Sequence, residues 1–188
     1  MSKTPLLILV DGHSLAYRSY FAYAKSKSGG LMTSGGVPTS ICVGFVKALV
    51  EIINSQKPDS MAIAFDLRQP TFRHEADENY KADRVETPED FTIDIQNLYL
   101  LLRALNLPTV TAVGFEADDV LGTLAGRASR EGYQVKILSG DKDMFQLVND
   151  RDRVSVLYLS SAYAQSGPST IEMNEQGVAG APKQQVLA

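Results

Sequence analysis

The sequence predicts an α/β domain: a mostly parallel central sheet with helices on both faces. Two observations lead there. Leu6–Val10 is a continuous apolar run and Met61–Phe65 a second short one, the pattern of strands buried on both faces, and residues 109–113, 135–138 and 154–159 read as further short strands. Between them lie segments whose apolar residues recur at helical spacing, and strand-helix alternation is the signature of a parallel sheet. At 188 residues, 44% hydrophobic and 21% charged, the chain has the size and composition of one globular domain.

The elements follow in order. Leu6 to Val10 is bounded by Pro5 and by Asp11-Gly12, and a helix is expected from about Ser14 with Tyr17, Tyr20 and Phe21 inward. Gly29-Gly30 and Gly35-Gly36 bracket a loop. Ile41, Phe45, Leu49 and Ile52-Ile53 mark a helix over about 39–54, ended by Lys57-Pro58-Asp59. Met61 to Phe65 is the second strand and stops at Asp66. Residues 67–86 are polar. Thr87-Pro-Glu-Asp90 reads as a helix start, with Thr87 as N-cap, Pro88 at the first helical position and acids in the first turn. Phe91, Ile95, Leu98, Leu102 and Leu105 are its buried stripe. The third strand leads to Glu116-Ala-Asp-Asp119, which opens a helix burying Val120, Leu121, Leu124 and Ala128. The fourth strand ends near Gly140-Asp141, and a short helix over 144–148 precedes the fifth. Beyond Ser160 a small-polar loop is followed by a short helix at 171–178.

Four of these strands deliver acids at or just beyond their C-terminal ends: Asp11; Asp66; Glu116, Asp118 and Asp119; Asp141 and Asp143. In an open parallel sheet these ends share one edge, where ligands bind. A lone acid after a strand is ordinarily a turn or capping residue, but four such ends on one edge exceed what capping requires. Clustered carboxylates raise one another's pKa values unless cations compensate them. All-oxygen donors suit Mg²⁺ or Mn²⁺. With two histidines, His13 and His74, and one cysteine, Cys42, no zinc motif exists. Two such cations about 3.5–4 Å apart suit phosphoryl displacement. The net charge of −4 argues against nucleic acid at face value. Without the seven acids, 18 basic residues face 15 acidic ones, a net of +3, so net charge does not exclude it. Arg68, Arg73, Lys81 and Arg84 with Tyr80 form a candidate phosphate clamp and base-stacking element, set against the reading of 67–86 as a solvated loop. Arg18 is a further candidate phosphate contact. The absence of an internal disulfide and of a long apolar span reads as cytosolic, with no membrane partner.

Val10-Asp-Gly-His-Ser-Leu-Ala-Tyr-Arg18, Phe65-Asp66, Thr71-Phe-Arg-His-Glu75, Tyr80-Lys-Ala82 with Arg84, Thr87-Pro-Glu-Asp90, Glu116-Ala-Asp-Asp-Val120 and Gly140-Asp-Lys-Asp143 with Gln146-Leu147 resemble, in order, the 5′-nuclease domain of bacterial DNA polymerase I, in the flap endonuclease group with a PIN-like (resolvase-like) fold. The resemblance implies Mg²⁺-dependent (or Mn²⁺-dependent) removal of 5′ ends and flaps from DNA, including nicks and RNA–DNA primer junctions, in replication and repair. It assigns Asp11, Asp66, Glu116 and Asp118 to a first metal, with Asp119 beside them, and Asp141 and Asp143 to a second. It makes residues 67–86 an arch in which Lys81 and Arg84 hold the scissile phosphate.

The expected core is residues 1–159. Residues 160–188 read as a loop and the approach to an absent acidic segment and helix-hairpin-helix, so the chain is expected to be a fragment or a truncated gene product. A polymerase domain is expected in a full-length protein. The competing expectations are a nucleic-acid-binding module of the same fold without turnover, and a PIN-type ribonuclease, which the long 67–86 stretch disfavours.

Overall fold

The five apolar runs become strands of one seven-stranded sheet. The computed structural model describes residues 3–24, 30–67, 69–77, 80, 87–159 and 170–178. Strand β1 (Leu6–Asp11) leads into helix α1 (Gly12–Ala24), then α2 (Ser40–Gln56), β2 (Ser60–Ala64), a single-turn α3 (Phe72–Ala76) and α4 (Glu89–Ala104). A two-residue β3 (Thr109–Val110), α5 (Ala117–Arg130), β4 (Gln134–Ser139), a 3₁₀ turn (Lys142–Leu147) and β5 (Val154–Leu159) follow, and β6 (Thr170–Asn174) and β7 (Gly177–Val178) close the described chain. The spatial order is β3-β2-β1-β4-β5-β6-β7. The first five strands run parallel, and β6 and β7 are antiparallel additions.

Both sheet faces are covered, which is why β1 is apolar without alternation from Leu6 to Val10. Ile8, Val10, Leu15, Ile41, Phe45 and Leu98 belong to the core beneath α1, α2 and α4. Leu9, Ile137, Val156, Val120 and Leu121 belong to the core beneath α5. Each fully buried large side chain contributes about 1.5–3 kcal/mol relative to exposure.

Several local expectations are corrected. Residues 171–178 form a hairpin, not a helix: the free edge of β5 pairs with β6, and Gly177 at φ 98° closes the turn. Met173 then faces the α5-side core, while Glu172 accepts from Lys136 Nζ (2.8 Å) and Ser155 Oγ (2.9 Å). In α1 the buried residues are Gly12, Leu15, Ala16, Ser19 and Tyr20, whereas Tyr17 and Phe21 are exposed. Ile53 and Leu105 are likewise exposed. Helix α4 starts one residue later than expected. The Pro88 carbonyl accepts its first intrahelical bond, from the Thr92 amide, so Pro88 is the N-cap and Thr87 lies outside. The third strand shrinks to two residues.

Two contacts set the rigidity of this framework. Asp94, fully buried within α4, accepts hydrogen bonds from the Ile41 (2.5 Å) and Cys42 (3.2 Å) amides. It thereby caps α2, whose own N-cap residue Thr39 makes no side-chain cap. Phe65, also buried, packs edge-on to His13 and Tyr99 and stacks with Phe45. Its ring fills the place a side chain at Gly12 would need: a Cβ there would lie 2.4 Å from Phe65 Cε1.

Candidate metal centre

Strands β1 and β4 are neighbours whose chain connections leave to opposite sides of the sheet, the position where open α/β sheets bind ligands. Their C-terminal ends are laced together there. Asp11, the last residue of β1, is buried; its Oδ1 accepts from the Ser14 amide (3.0 Å) and its Oδ2 from Ser139 Oγ (2.7 Å). Ser139 Oγ accepts in turn from the Asp141 amide (2.9 Å), and Ser14 Oγ from the Gly140 amide (2.8 Å).

Asp66 sits one residue past Phe65. Its Oδ1 accepts from the Ala117 amide (2.6 Å), and its amide donates to His13 Nδ1 (3.2 Å). The same His13 Nδ1 lies 3.6 Å from Asp66 Oδ2. Glu116 is buried as the N-cap residue of α5, and Tyr80 Oη donates to its Oε2 (3.2 Å). Asp118, on the first turn of α5, is half-buried and makes no hydrogen bond or ion pair with the described residues.

These acids line one side of an open cleft of about 960 Å³, with Asp141 at its rim. The facing side carries Tyr17 from α1 and Phe91, Ile95 and Tyr99 from α4. Asp118 is pushed up to about 7, first by burial and then by repulsion from Asp11, Asp141, Asp66 and Glu116. Asp11 is also raised, mainly by burial. The Ser14 and Ser139 hydrogen bonds oppose that rise, while Asp66 and Asp141 add to it. Among the described residues no three His, Cys, Asp or Glu side chains converge closely enough to hold one ion as they stand.

Five of the seven expected ligands therefore meet at the cleft: Asp11, Asp66, Glu116, Asp118 and Asp141. Asp119 and Asp143 do not line it. Asp119 is turned outward into a bidentate pair with Arg73 (2.7 and 2.9 Å), and its Oδ2 also accepts from the Glu116 amide (3.0 Å). That is a capping and ion-pairing role, with both carboxylate oxygens engaged. Asp143 is exposed, and its amide donates to Asp141 Oδ1 (2.9 Å). Arg73, expected to meet nucleic acid, is committed to Asp119 and lies 3.6 Å from Glu116; its proton is held above the usual guanidinium range, first by the Asp119 hydrogen bond. Tyr80, expected to stack on a base, is tied by its hydroxyl to Glu116 and packs edge-on to His74. Arg18 lies against Gly140 and over the Tyr158 ring, beside the cleft. Arg68, Lys81 and Arg84 lie outside the described residues, as do 160–169 and 179–188.

Sequence reasoning passed over several residues of this site. Ser139 precedes the Gly140-Asp141 motif and carried no signal of its own. His13 and Ser14 stood inside a quoted motif without a role. Phe91 and Ile95 were read as core alone, although the N-terminal end of that stripe faces the cleft. Lys142 supplies a cation at the rim.

The comparisons agree with this architecture. Residues 6–180 match the family model described as the 5′-3′ exonuclease N-terminal resolvase-like domain. The chain is 57% identical over 177 residues to DNA polymerase I of Synechocystis sp., covering 94% of this chain and 18% of that protein. It is 45% identical over 152 residues to the thermostable DNA polymerase I of Thermus thermophilus, covering 81% and 17% respectively. It thus spans under a fifth of the length of these relatives. Among solved structures, the phage 5′-exonuclease from T5 with bound divalent metal ions (zinc) superposes with a TM-score of 0.61 at 21% identity, covering 85% of this chain and 60% of that one. Flap endonuclease-1 from Methanococcus jannaschii gives 0.53 at 16%, covering 96% and 58%. The chain belongs to the family of 5′-3′ exonuclease N-terminal resolvase-like domains.

Proposed function

We propose that this chain is the nuclease part of a metal-dependent 5′-3′ exonuclease and 5′-flap endonuclease, acting on DNA with 5′ ends, flaps or nicks and on RNA–DNA primer junctions. The observation that carries the reading is the gathering of Asp11, Asp66, Glu116, Asp118 and Asp141 at one cleft, with Asp118 pushed up first by its burial and then by the other four. Such an arrangement has no structural use and is relieved by divalent cations. The donor set, oxygen throughout, fits Mg²⁺ or Mn²⁺. Asp11, Asp66, Glu116 and Asp118 would hold one ion, and Asp141 with Asp143 would contribute to a second. When bound, such ions activate water and stabilise the charge that develops on a phosphodiester.

The protein's own groups supply the rest. The Ser14 and Ser139 hydrogen bonds fix the Asp11 carboxylate, and the Ala117 amide fixes Asp66. Lys142 and Arg18 lie where a phosphate backbone would enter. Lys81 and Arg84 are proposed to hold the scissile phosphate, and a polymerase part is proposed for a longer chain.

The test is a labelled 5′-flap duplex incubated with the chain and MgCl₂ or MnCl₂. Cleavage that is lost with chelator and with Asp141→Ala is expected. An intact flap and intact nicked duplex with both metals would overturn the proposal. The second reading, binding without turnover, is favoured by the lack of three converged ligands among the described residues. It predicts flap binding, no product, and one cation per chain by calorimetry.

A further inference from the structure

The cleft accounts for Tyr17, Phe91 and Tyr99, but a second aromatic surface lies just beyond its acidic side. Phe72, at the start of α3, and Phe115, in the loop before α5, are about half exposed, at 47% and 50%, and Val113 beside them is 72% exposed. The two rings contact each other with centroids 5.9 Å apart, tilted by 57°. The Arg73 guanidinium lies over Phe72, 4.5 Å from the ring centroid.

This surface is held rigidly for something so exposed. The Phe72 amide donates to the Gly114 carbonyl (3.1 Å), tying α3 to the loop that carries Phe115. One residue on, Arg73 grips Asp119 with two hydrogen bonds. The pair is also continuous with the cleft in the chain itself, since Phe115 directly precedes Glu116, a cleft acid. Two exposed, pre-positioned aromatic rings beside a polyanion site suit unpaired bases better than a duplex, whose bases are already stacked. The charge pattern points the same way. Here Arg73 is neutralised by Asp119, so the surface offers ring faces more than free cations, and stacking becomes its main source of affinity.

We infer that Phe72 and Phe115 form a stacking platform for the unpaired bases of a single-stranded 5′ tail lying across the acidic edge. The inference rests on the proposed nuclease reading and names the part of that substrate this surface would hold.

The experiment uses the 188-residue chain carrying Asp141→Ala, MgCl₂, and two matched nicked duplexes: one with a single-stranded oligothymidylate 5′ tail containing 2-aminopurine, one without a tail. On the unaltered platform, 2-aminopurine fluorescence is expected to be quenched on binding. The double variant Phe72→Leu/Phe115→Leu keeps apolar bulk but removes the rings; it is expected to weaken the tailed duplex about tenfold or more and leave the untailed duplex unchanged. Phe72→Tyr/Phe115→Tyr is expected to retain tail affinity. Absence of quenching on the unaltered platform would overturn the inference without reliance on any variant. So would equal losses on both duplexes, unchanged tail affinity in the leucine variant, or a wild-type dimer in sedimentation velocity that the leucine variant dissolves. Flap cleavage by the chain with Asp141 intact, together with an unresponsive tail, would refute the platform alone; no binding to either duplex would remove the nuclease reading with it.

Discussion

Replacing Asp118 with Asn should stabilise the metal-free protein and make it indifferent to metal. In the folded chain Asp118 is pushed up to about 7, well above the ordinary carboxylate value of about 4. The folded state therefore binds the proton more tightly than the unfolded state between those values. Stability tied to this group is fully present below about pH 4 and is lost as pH rises through about 7. A shift of roughly 3 units corresponds to about 4 kcal/mol at 1.36 kcal/mol per unit. The side chain is half-buried, so solvent screening reduces this to about 2 kcal/mol. For a chain of this length that is roughly 4–8 °C in melting temperature. Thermal melts followed by circular dichroism, in excess EDTA and in excess MgCl₂ across this pH range, measure it. Asp118→Asn should melt several degrees above the parent in EDTA on the alkaline side and match it on the acidic side. MgCl₂ should raise the parent's melting temperature on the alkaline side and leave the variant nearly unmoved. A variant no more stable than the parent in alkaline EDTA, or one whose advantage persists in acid, would refute the electrostatic account of the cluster.

Other consequences are equally direct. Asp94→Ala strips one buried and one part-buried amide of their acceptor and should cost about 2–3 kcal/mol, seen as a lower midpoint in urea unfolding. Gly12→Ala places a methyl group into the Phe65 ring and should cost about 1–3 kcal/mol in the same assay, with flap cleavage falling further than stability alone explains. Ser139→Ala removes the hydroxyl between Asp11 and the Asp141 amide; it should lower stability by about 1 kcal/mol and weaken Mg²⁺ binding measured by calorimetry.

Strands β1 and β2 were legible because burial on both faces favours short apolar runs and Asp11 and Asp66 mark their ends; β4 and β5 were legible from Val, Ile and Leu content in short segments despite Lys136 and Ser155. Five cleft acids were legible because topology alone gathers strand ends. The pairing of Asp119 was not, because its partner Arg73 lies 46 residues away in the chain. Asp94 escaped notice for a similar reason. An acid in the interior of an amphipathic helix reads as solvent-facing until a neighbouring helix end is brought against it. The β6–β7 hairpin depends on the free edge of β5, a tertiary fact, and its eight-residue segment has no decisive period of its own. The exposed Tyr17 and Phe21 show the converse: aromatic residues on a helix were read as core, when the cleft and surface claim them.

Phe65 has a consequence for how the cleft can move. One ring touches the turn that follows Asp11, the α2 core through Phe45, and Tyr99 on the opposite wall, while its own backbone leads into Asp66. Any widening of the cleft by a shift of α4 would have to displace that ring or leave a void beside it. Asp66 would then be drawn away from the Ala117 amide. The carboxylate spacing and the cleft width are thus mechanically one variable, and a substrate that pries the wall apart also retunes the acids it has come to meet.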